Sequence, residues 1–388
     1  MESVKYLLFL MILTLGCKTA YTPPAITNAA SYLVVEGVIN TGPDSTIIKL
    51  SRTVKLFSNN TINPEVDAIV TVESNANNSY PLREIRNGYY AGFGLNLDNT
   101  KQYRLRINTS NKEQYVSDFV QAKVTPPIDS LGYNVTDNGI QLYVNAHDQG
   151  KNTRYYRWDY AETWQFHSKY LSNYILVGQN FNIRTPEQLV YNCFGSDTSS
   201  NVLLASSANL SQDVIYQFPV TALAATAEKI GTKYSIILRQ YALTAGAYSY
   251  WQNLKKNTEQ LGSIFDAQPT SNGGNIHSVN NPSLPVIGYI SAGTISSKRI
   301  FIASSQLLLT WITAYPYDCP LDSDYYCDPR YHCLNTVHDY FETSPPPIVP
   351  IASIGNPGSP QIIGYTGSYP ECVDCTLRGS KITPAFWK

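Results

Sequence analysis

Tyr155-Tyr156-Arg157-Trp158-Asp159-Tyr160-Ala161-Glu162-Thr163-Trp164-Gln165-Phe166 decides the fold class. Side chains of an extended segment alternate between two faces. Tyr156, Trp158, Tyr160, Glu162, Trp164 and Phe166 therefore share one side. Five aromatic rings in that register predict a packed ladder inside a β-sheet. Glu162 is the exception on the face, and it reads as a hydrogen-bonded core acid or a rim carboxylate in preference to a ligand contact.

Toward the N-terminus the same alternation recurs in short pieces. Tyr103-Arg104-Leu105-Arg106-Ile107 has strict period two, with its apolar residues inward and Arg104 and Arg106 on a solvated face. Strands are also expected at Leu33 to Ile39, Thr46 to Thr53, Ala68 to Glu73, Gly88 to Tyr90 and Gln114 to Val120, with a turn at Gly42-Pro43. Short strands at this spacing predict an immunoglobulin-like β-sandwich over residues 32–125. Thr125-Pro126-Pro127 is a natural boundary, because paired prolines stop a sheet and stiffen a join.

Residues 126–388 are expected to form a larger, sandwich-like β-rich domain with a disulfide-stapled C-terminal loop region. Its first strands are Ser130 to Val135 and Ile140 to Ala146. Ser168 to Gly231 reads as a long excursion, with a short strand at Val202 to Ser206 and a turn at Phe218-Pro219-Val220. Lys233 to Tyr241 returns to strong alternation. The stretch from Tyr241 to Arg299 then carries one packed α-helix, residues 245–261. Thr244 is its N-cap and Gly262 its C′ residue, while Tyr248, Trp251, Leu254, Thr258 and Leu261 form a face for docking on the second sheet. Gly273, Gly274, Asn275 and His277 follow in a loop that is the candidate contact surface, ahead of strands at Pro285 to Ala292 and Arg299 to Ser304. From Trp311 onward the chain reads as loops, with a stiff join at Pro345-Pro346-Pro347 and Phe386-Trp387 tucked into the fold.

Composition narrows the function classes. The chain has 388 residues, 43% hydrophobic and 15% charged, with a formal net charge of −1. No global field attracts nucleic acid or another polyanion. Thirty Tyr against two Met suits half-wet β surfaces outside the cytoplasm. Residues 1–16 read as a signal peptide: Lys5 precedes a ten-residue apolar run from Tyr6 to Leu15, too short to span a bilayer. Gly16-Cys17 ends it in the manner of a bacterial lipoprotein signal, although Thr14 stands where leucine is usual. Cys17 is then the lipidation site, and residues 17–31 are a lipid-anchored linker containing Pro23-Pro24.

Setting Cys17 aside leaves Cys193, Cys319, Cys327, Cys333, Cys372 and Cys375, enough for three disulfides in any of fifteen pairings. His332, Cys333, His338, Cys372 and Cys375 would also supply zinc ligands, but an oxidising compartment favours disulfides, so neither a metal nor a cofactor is expected. His277 has no Ser nucleophile motif or paired carboxylate with it, so no catalytic residues are assigned.

A set of motifs beyond these patterns resembles one family. It comprises the signal ending in Cys17, Leu33-Val34-Val35-Glu36-Gly37, Thr125-Pro126-Pro127-Ile128-Asp129-Ser130, and Tyr156-Arg157-Trp158 with Glu162-Thr163-Trp164. Further on stand Tyr250-Trp251-Gln252-Asn253-Leu254, Gly262-Ser263-Ile264-Phe265-Asp266, Gly274-Asn275-Ile276-His277, Val286-Ile287-Gly288-Tyr289 and Cys372-Val373-Asp374-Cys375. Together they resemble the Bacteroidetes outer-membrane lipoproteins grouped as domain of unknown function 4249. That resemblance implies lipid anchoring in the outer membrane and a TonB-dependent transporter as partner. Lys18-Thr19-Ala20 follow the cysteine in place of the acidic residues that often mark surface export, so the cell surface and the periplasmic face both stay open. The expected function is a non-enzymatic accessory or substrate- or partner-binding subunit. The alternative is a carbohydrate- or peptide-binding module, or a hydrolase, with its site on the second-domain loops.

Overall fold

The computed structural model describes residues 31–54, 62–259, 273–327, 332, 335, 337–343, 347–355, 358 and 360–388. The signal peptide, Cys17, Gly262, Leu261, Cys333 and Pro345-Pro346 of the proline join lie outside them. The chain is mainly β, and its described strands fall into two sandwich-like bodies and a smaller C-terminal unit.

The first body is an eleven-stranded sheet. Across the main path it runs Ile276–Ser278, Gln114–Ser117, Gln102–Asn108, Ile69–Ser74, Ser79–Arg86, Tyr89–Gly92, Thr46–Arg52, Leu33–Asn40 and Ile287–Gly288. Residues from both ends of this order share one core, among them Leu33, Val35, Leu105, Ile107 and Tyr115, so the sheet folds over on itself. Alternation produces the core: Tyr103, Leu105 and Ile107 are buried, each worth roughly 1.5–3 kcal/mol. Arg104 and Arg106 point outward and both bond Glu73 at 2.6 Å.

A division at residue 125 misses part of this body. Residues 276–293 return to it from the far side of the helix, and the strand expected across Pro285 to Ala292 belongs here. An unpaired edge strand leaves a row of unsatisfied backbone groups. Ile276–Ser278 covers the Gln114–Ser117 edge, while Ile287–Gly288 and Ser291–Gly293 cover Leu33–Asn40 in parallel. At the break between those two short strands the buried Asn275 acts as the backbone's partner, donating to the Ile290 carbonyl at 2.9 Å and accepting from the Ile290 N–H at 2.8 Å. Gly288 has φ +141°, and a Cβ there would lie 2.2 Å from the Val35 carbonyl oxygen, so only glycine fits.

The second body packs a three-stranded sheet (Val214–Ala224, Gly139–His147, Ile128–Thr136) against a five-stranded one. The main path of the latter is Asn192–Thr198, Tyr155–His167, Lys233–Ala242 and Ile295–Ala303, with Leu203–Ser206 also on Tyr155–His167. Tyr156, Trp158 and Phe166 are buried as the ladder requires. The Trp158 indole donates to Gln240 Oε1 at 2.9 Å, and Gln240 donates to the Pro126 carbonyl at 2.8 Å, which ties the join into the core. Glu162 is 4% exposed, accepting from the Tyr234 hydroxyl at 2.7 Å and pairing with Lys229: a hydrogen-bonded core acid.

Phe218-Pro219-Val220 is not a turn. It lies within the Val214–Ala224 strand, at a register shift opposite Tyr143. That strand is at the sheet's edge, where a residue with no N–H to donate is tolerated. The helix, Ala245–Glu259, is capped by Thr244 Oγ1 accepting from Ala247 N at 3.2 Å. Its buried face is rotated from the expected one: Ala247 and Tyr250 are buried, Tyr248, Trp251 and Leu254 are partly covered, and Thr258 is exposed. The rotation reflects its seat, which is shared by Val38 and Tyr289 of the first body and Tyr155, Leu204 and Tyr241 of the second.

The C-terminal stretch is more ordered than a loop region. Asp322–Tyr325, Ile362–Ser368 and Val349–Gly355 form a small sheet, with short helices at Val337–Thr343 and Pro370–Val373. Its core, built on Val337, Phe341, Ile348 and Tyr365, also takes Tyr174 and Phe181 from a hairpin far back in the chain. Two disulfides, Cys193–Cys375 and Cys319–Cys372, secure this region, the first joining it to the second body. Cys327 is disulfide-bonded as well. The tail is docked: Trp387 packs edge-on to Phe194 and Phe301, and Arg299 lies 3.6 Å over the Phe386 ring.

Candidate functional site

The outer face of the five-stranded sheet is partly covered by the first body and the helix. Register sets what it displays. Arg157 pairs with Tyr241 and Asp159 with Arg239, and the next strand brings Ser297 opposite Arg239 and Ile295 opposite Tyr241. The residues between them, Trp158 and Gln240, point into the core, so a one-residue slip would bury this polar patch and expose the ladder. Facing the patch across a cleft of about 790 Å³ are Glu36, Val38, Asp44 and Ile47 of the first body, with Tyr250 and Trp251 of the helix and Tyr289 from the returning segment. A cleft between two bodies, of this volume and with mixed apolar and convergent polar walls, is the ordinary setting of a small-ligand site.

Arg157 is the most constrained group in it. Its guanidinium carbon sits 4.3 Å from the Tyr241 ring centre and 4.5 Å from that of Trp251. Cation–π contacts of this kind hold a guanidinium in one plane. Asp159 lies between the two arginines, 2.6 Å from Arg239 Nε and 3.4 Å from Arg157 Nη2. For Arg239, burial alone would favour loss of the proton, and the Asp159 carboxylate outweighs it and raises the pKa. Burial, reinforced by Asp159, pushes the Tyr241 hydroxyl up to about 12, so it stays a neutral donor. Tyr250 is raised in the same sense by burial and by the charge of Glu36. On the opposite wall Glu36 is bonded to Lys49 at 2.6 Å.

The helix completes the cleft and is itself tethered. Lys255 donates to the Val202 carbonyl at 2.8 Å, and Glu259 accepts from Val202 N–H at 2.6 Å. Tyr250 packs on Trp251 and on Tyr289, with ring centres 5.7 and 5.3 Å apart. The cleft thus offers fixed donors, carboxylate acceptors and rings, the inventory of recognition. Its lining residues include neither histidine nor cysteine.

The loop singled out from sequence lies elsewhere. Gly273, Gly274, Asn275 and His277 do not line the cleft. Asn275 is engaged with Ile290, a Cβ on Gly274 would strike the Gly288 carbonyl, and His277 is exposed on a sheet-edge strand, 3.1 Å from Asp118. Cys372 and Cys375 bond different partners, so their Cys-x-x-Cys spacing is neither a redox pair nor half a zinc site. Among the described residues no group of three or more His, Cys, Asp or Glu converges on one point. Sequence reading missed Arg157, Asp159, Arg239 and Tyr241 as a site. The signal was present in the alternation, which puts Arg157 and Asp159 on the face opposite the ladder.

Among solved structures, an alpha-2-macroglobulin mutant of Salmonella is 10% identical, matching 76% of this chain and 15% of its own with a TM-score of 0.17. A biofilm-associated protein, in its BSP domain, is 8% identical, matching 74% of this chain and 63% of its own with a TM-score of 0.15. This chain thus spans about 15% and 63% of their respective lengths. No curated protein matches the chain. A family model, Domain of unknown function (DUF4249), matches residues 18–299, a span that takes in both walls of the cleft and the helix between them. The chain belongs to that family.

Proposed function

We propose that this protein is a non-enzymatic lipoprotein of the outer membrane, held by lipid on Cys17, which binds a ligand in the cleft between its two bodies as an accessory subunit of a TonB-dependent transporter. The observation that supports a binding role is the cleft itself: a pre-formed cavity of about 790 Å³ with two immobilised arginines, three carboxylates and four aromatic residues on its walls. Anchoring rests on the Gly16-Cys17 signature, and the transporter on the resemblance. Mild-detergent extraction of native membranes followed by affinity recovery of the full chain tests the assembly. The transporter should be recovered with it. Recovery of the protein alone, in a membrane fraction that still holds the transporter, contradicts the accessory role.

A further inference from the structure

The charges of the cleft are sorted by wall. On the outer face of the five-stranded sheet two guanidiniums share one carboxylate, Asp159, which leaves an excess positive charge. Each guanidinium carries five N–H groups in a rigid fork, and Asp159 accepts only a few of the ten. Arg239 is 35% exposed at its side chain and bonds Asp159 through Nε, so the outer end of its fork is open to the cleft. On the first-body wall the charges are negative. Glu36 is neutralised by Lys49, while Asp44, exposed on the turn before Thr46–Arg52, has no ion-pair partner among the described residues.

This arrangement selects among ligand classes. A polyanion would meet Glu36, Asp44 and Asp159 together. A cation would meet Arg157 and Arg239. A neutral sugar usually needs an aromatic face to stack on, and here Arg157 lies over both Tyr241 and Trp251. The rings immobilise a guanidinium, which favours recognition of a planar anion. A ligand with a carboxylate at one end and an ammonium at the other satisfies both walls.

We propose, on the reading that the cleft is the binding site, that its ligand is a short peptide with free termini, its carboxylate held by the Arg157–Arg239 pair and its ammonium facing Asp44. Backbone amides between the termini would meet Ser297 and the Tyr241 hydroxyl, and the apolar patch of Ile47, Ile237 and Ile295 would take a side chain.

The test is equilibrium dialysis of the detergent-solubilised full chain against a mixed tripeptide library, read by mass spectrometry. Parallel arms use the same library C-amidated, the same library N-acetylated, and maltotetraose. Free-termini tripeptides should be retained, with at least a tenfold loss on amidation and a smaller loss on acetylation. Arg239→Lys keeps the charge without the fork and should weaken retention severalfold, and Asp44→Asn should abolish the preference for a free amino terminus. A thermal melt of each variant shows whether it is folded; Asp44 is exposed and Arg239 half-buried. Equal retention of amidated peptides, retention of maltotetraose in place of peptides, or retention of neither overturns the proposal. Recovery of the transporter with the wild-type chain is scored separately, so the accessory role can stand while the peptide assignment falls.

Discussion

Glu162 sits on a face made otherwise of aromatic rings, where a carboxylate is tolerable only if its oxygens are bonded. One oxygen takes the Tyr234 hydroxyl and the other takes Lys229. Removing it strands both partners. Glu162→Ala should cost about 3 kcal/mol in urea unfolding, and Glu162→Gln, which keeps an acceptor for Tyr234, about half of that. Gln240→Leu should cost about 1–3 kcal/mol, because it orphans the Trp158 indole N–H and the Pro126 carbonyl together. Glu73 gives a pH signature. Burial alone would raise its carboxyl, but bonds from Arg106 and Arg104 hold it below the ordinary 4.5. A depressed folded-state pKa contributes stability that is present above the ordinary value and lost as pH falls through the folded one. Glu73→Gln should therefore lower the melting temperature at neutral pH, with the difference from wild type shrinking as the pH falls below the ordinary 4.5. At this scale the sequence was partly legible. The ladder and its odd acid could be read from alternation, but a stack of Arg157 between Tyr241 and Trp251 joins three segments that no local pattern connects.

Strands with clean alternation were read nearly to their ends: Tyr103 to Ile107 is the heart of Gln102–Asn108, and Lys233 to Tyr241 is Lys233–Ala242 less one residue. The helix was legible from its cap and its apolar spacing, but its facing was not, since both bodies contribute to its seat. The C-terminal elements were missed for a related reason. Each is only four to seven residues long, too short to show a period, and each is held by residues remote in sequence, as Phe181 is stacked 4.0 Å from Tyr365. Disulfides carry part of that burden. Non-reducing peptide mapping should return Cys193–Cys375 and Cys319–Cys372, which close separations of 182 and 53 residues. Replacing either pair by serines should cost roughly 2–4 kcal/mol. Free thiols at Cys372 and Cys375 would contradict the arrangement. By contrast Leu309 and Ile312 are 94% and 79% exposed, and changing both to Ser should shift stability by no more than about 0.5 kcal/mol each.

For the molecule as a whole, the stretch from Tyr241 to Arg299 is the stitch between bodies. It leaves the second sheet, supplies the helix, covers both edges of the first body with residues 276–293, and re-enters the second sheet as Ile295–Ala303. Thr125 and Thr294 bond each other where the two crossings meet, Thr125 N–H donating to Thr294 Oγ1 at 2.8 Å. A fragment of residues 32–125 lacks its edge strands and should aggregate, whereas appending residues 273–293 through a flexible linker should yield a soluble monomer by size exclusion. The same stitch brings the two walls of the cleft together, and with them the ligand site. Amide hydrogen exchange of the full chain, with and without saturating free-termini tripeptides, tests it most directly. Slowed exchange should be confined to residues 36–47, 157–159, 237–241, 250–251 and 289–297. Protection centred on residues 273–277 or on the C-terminal unit, or no protection anywhere, would contradict it.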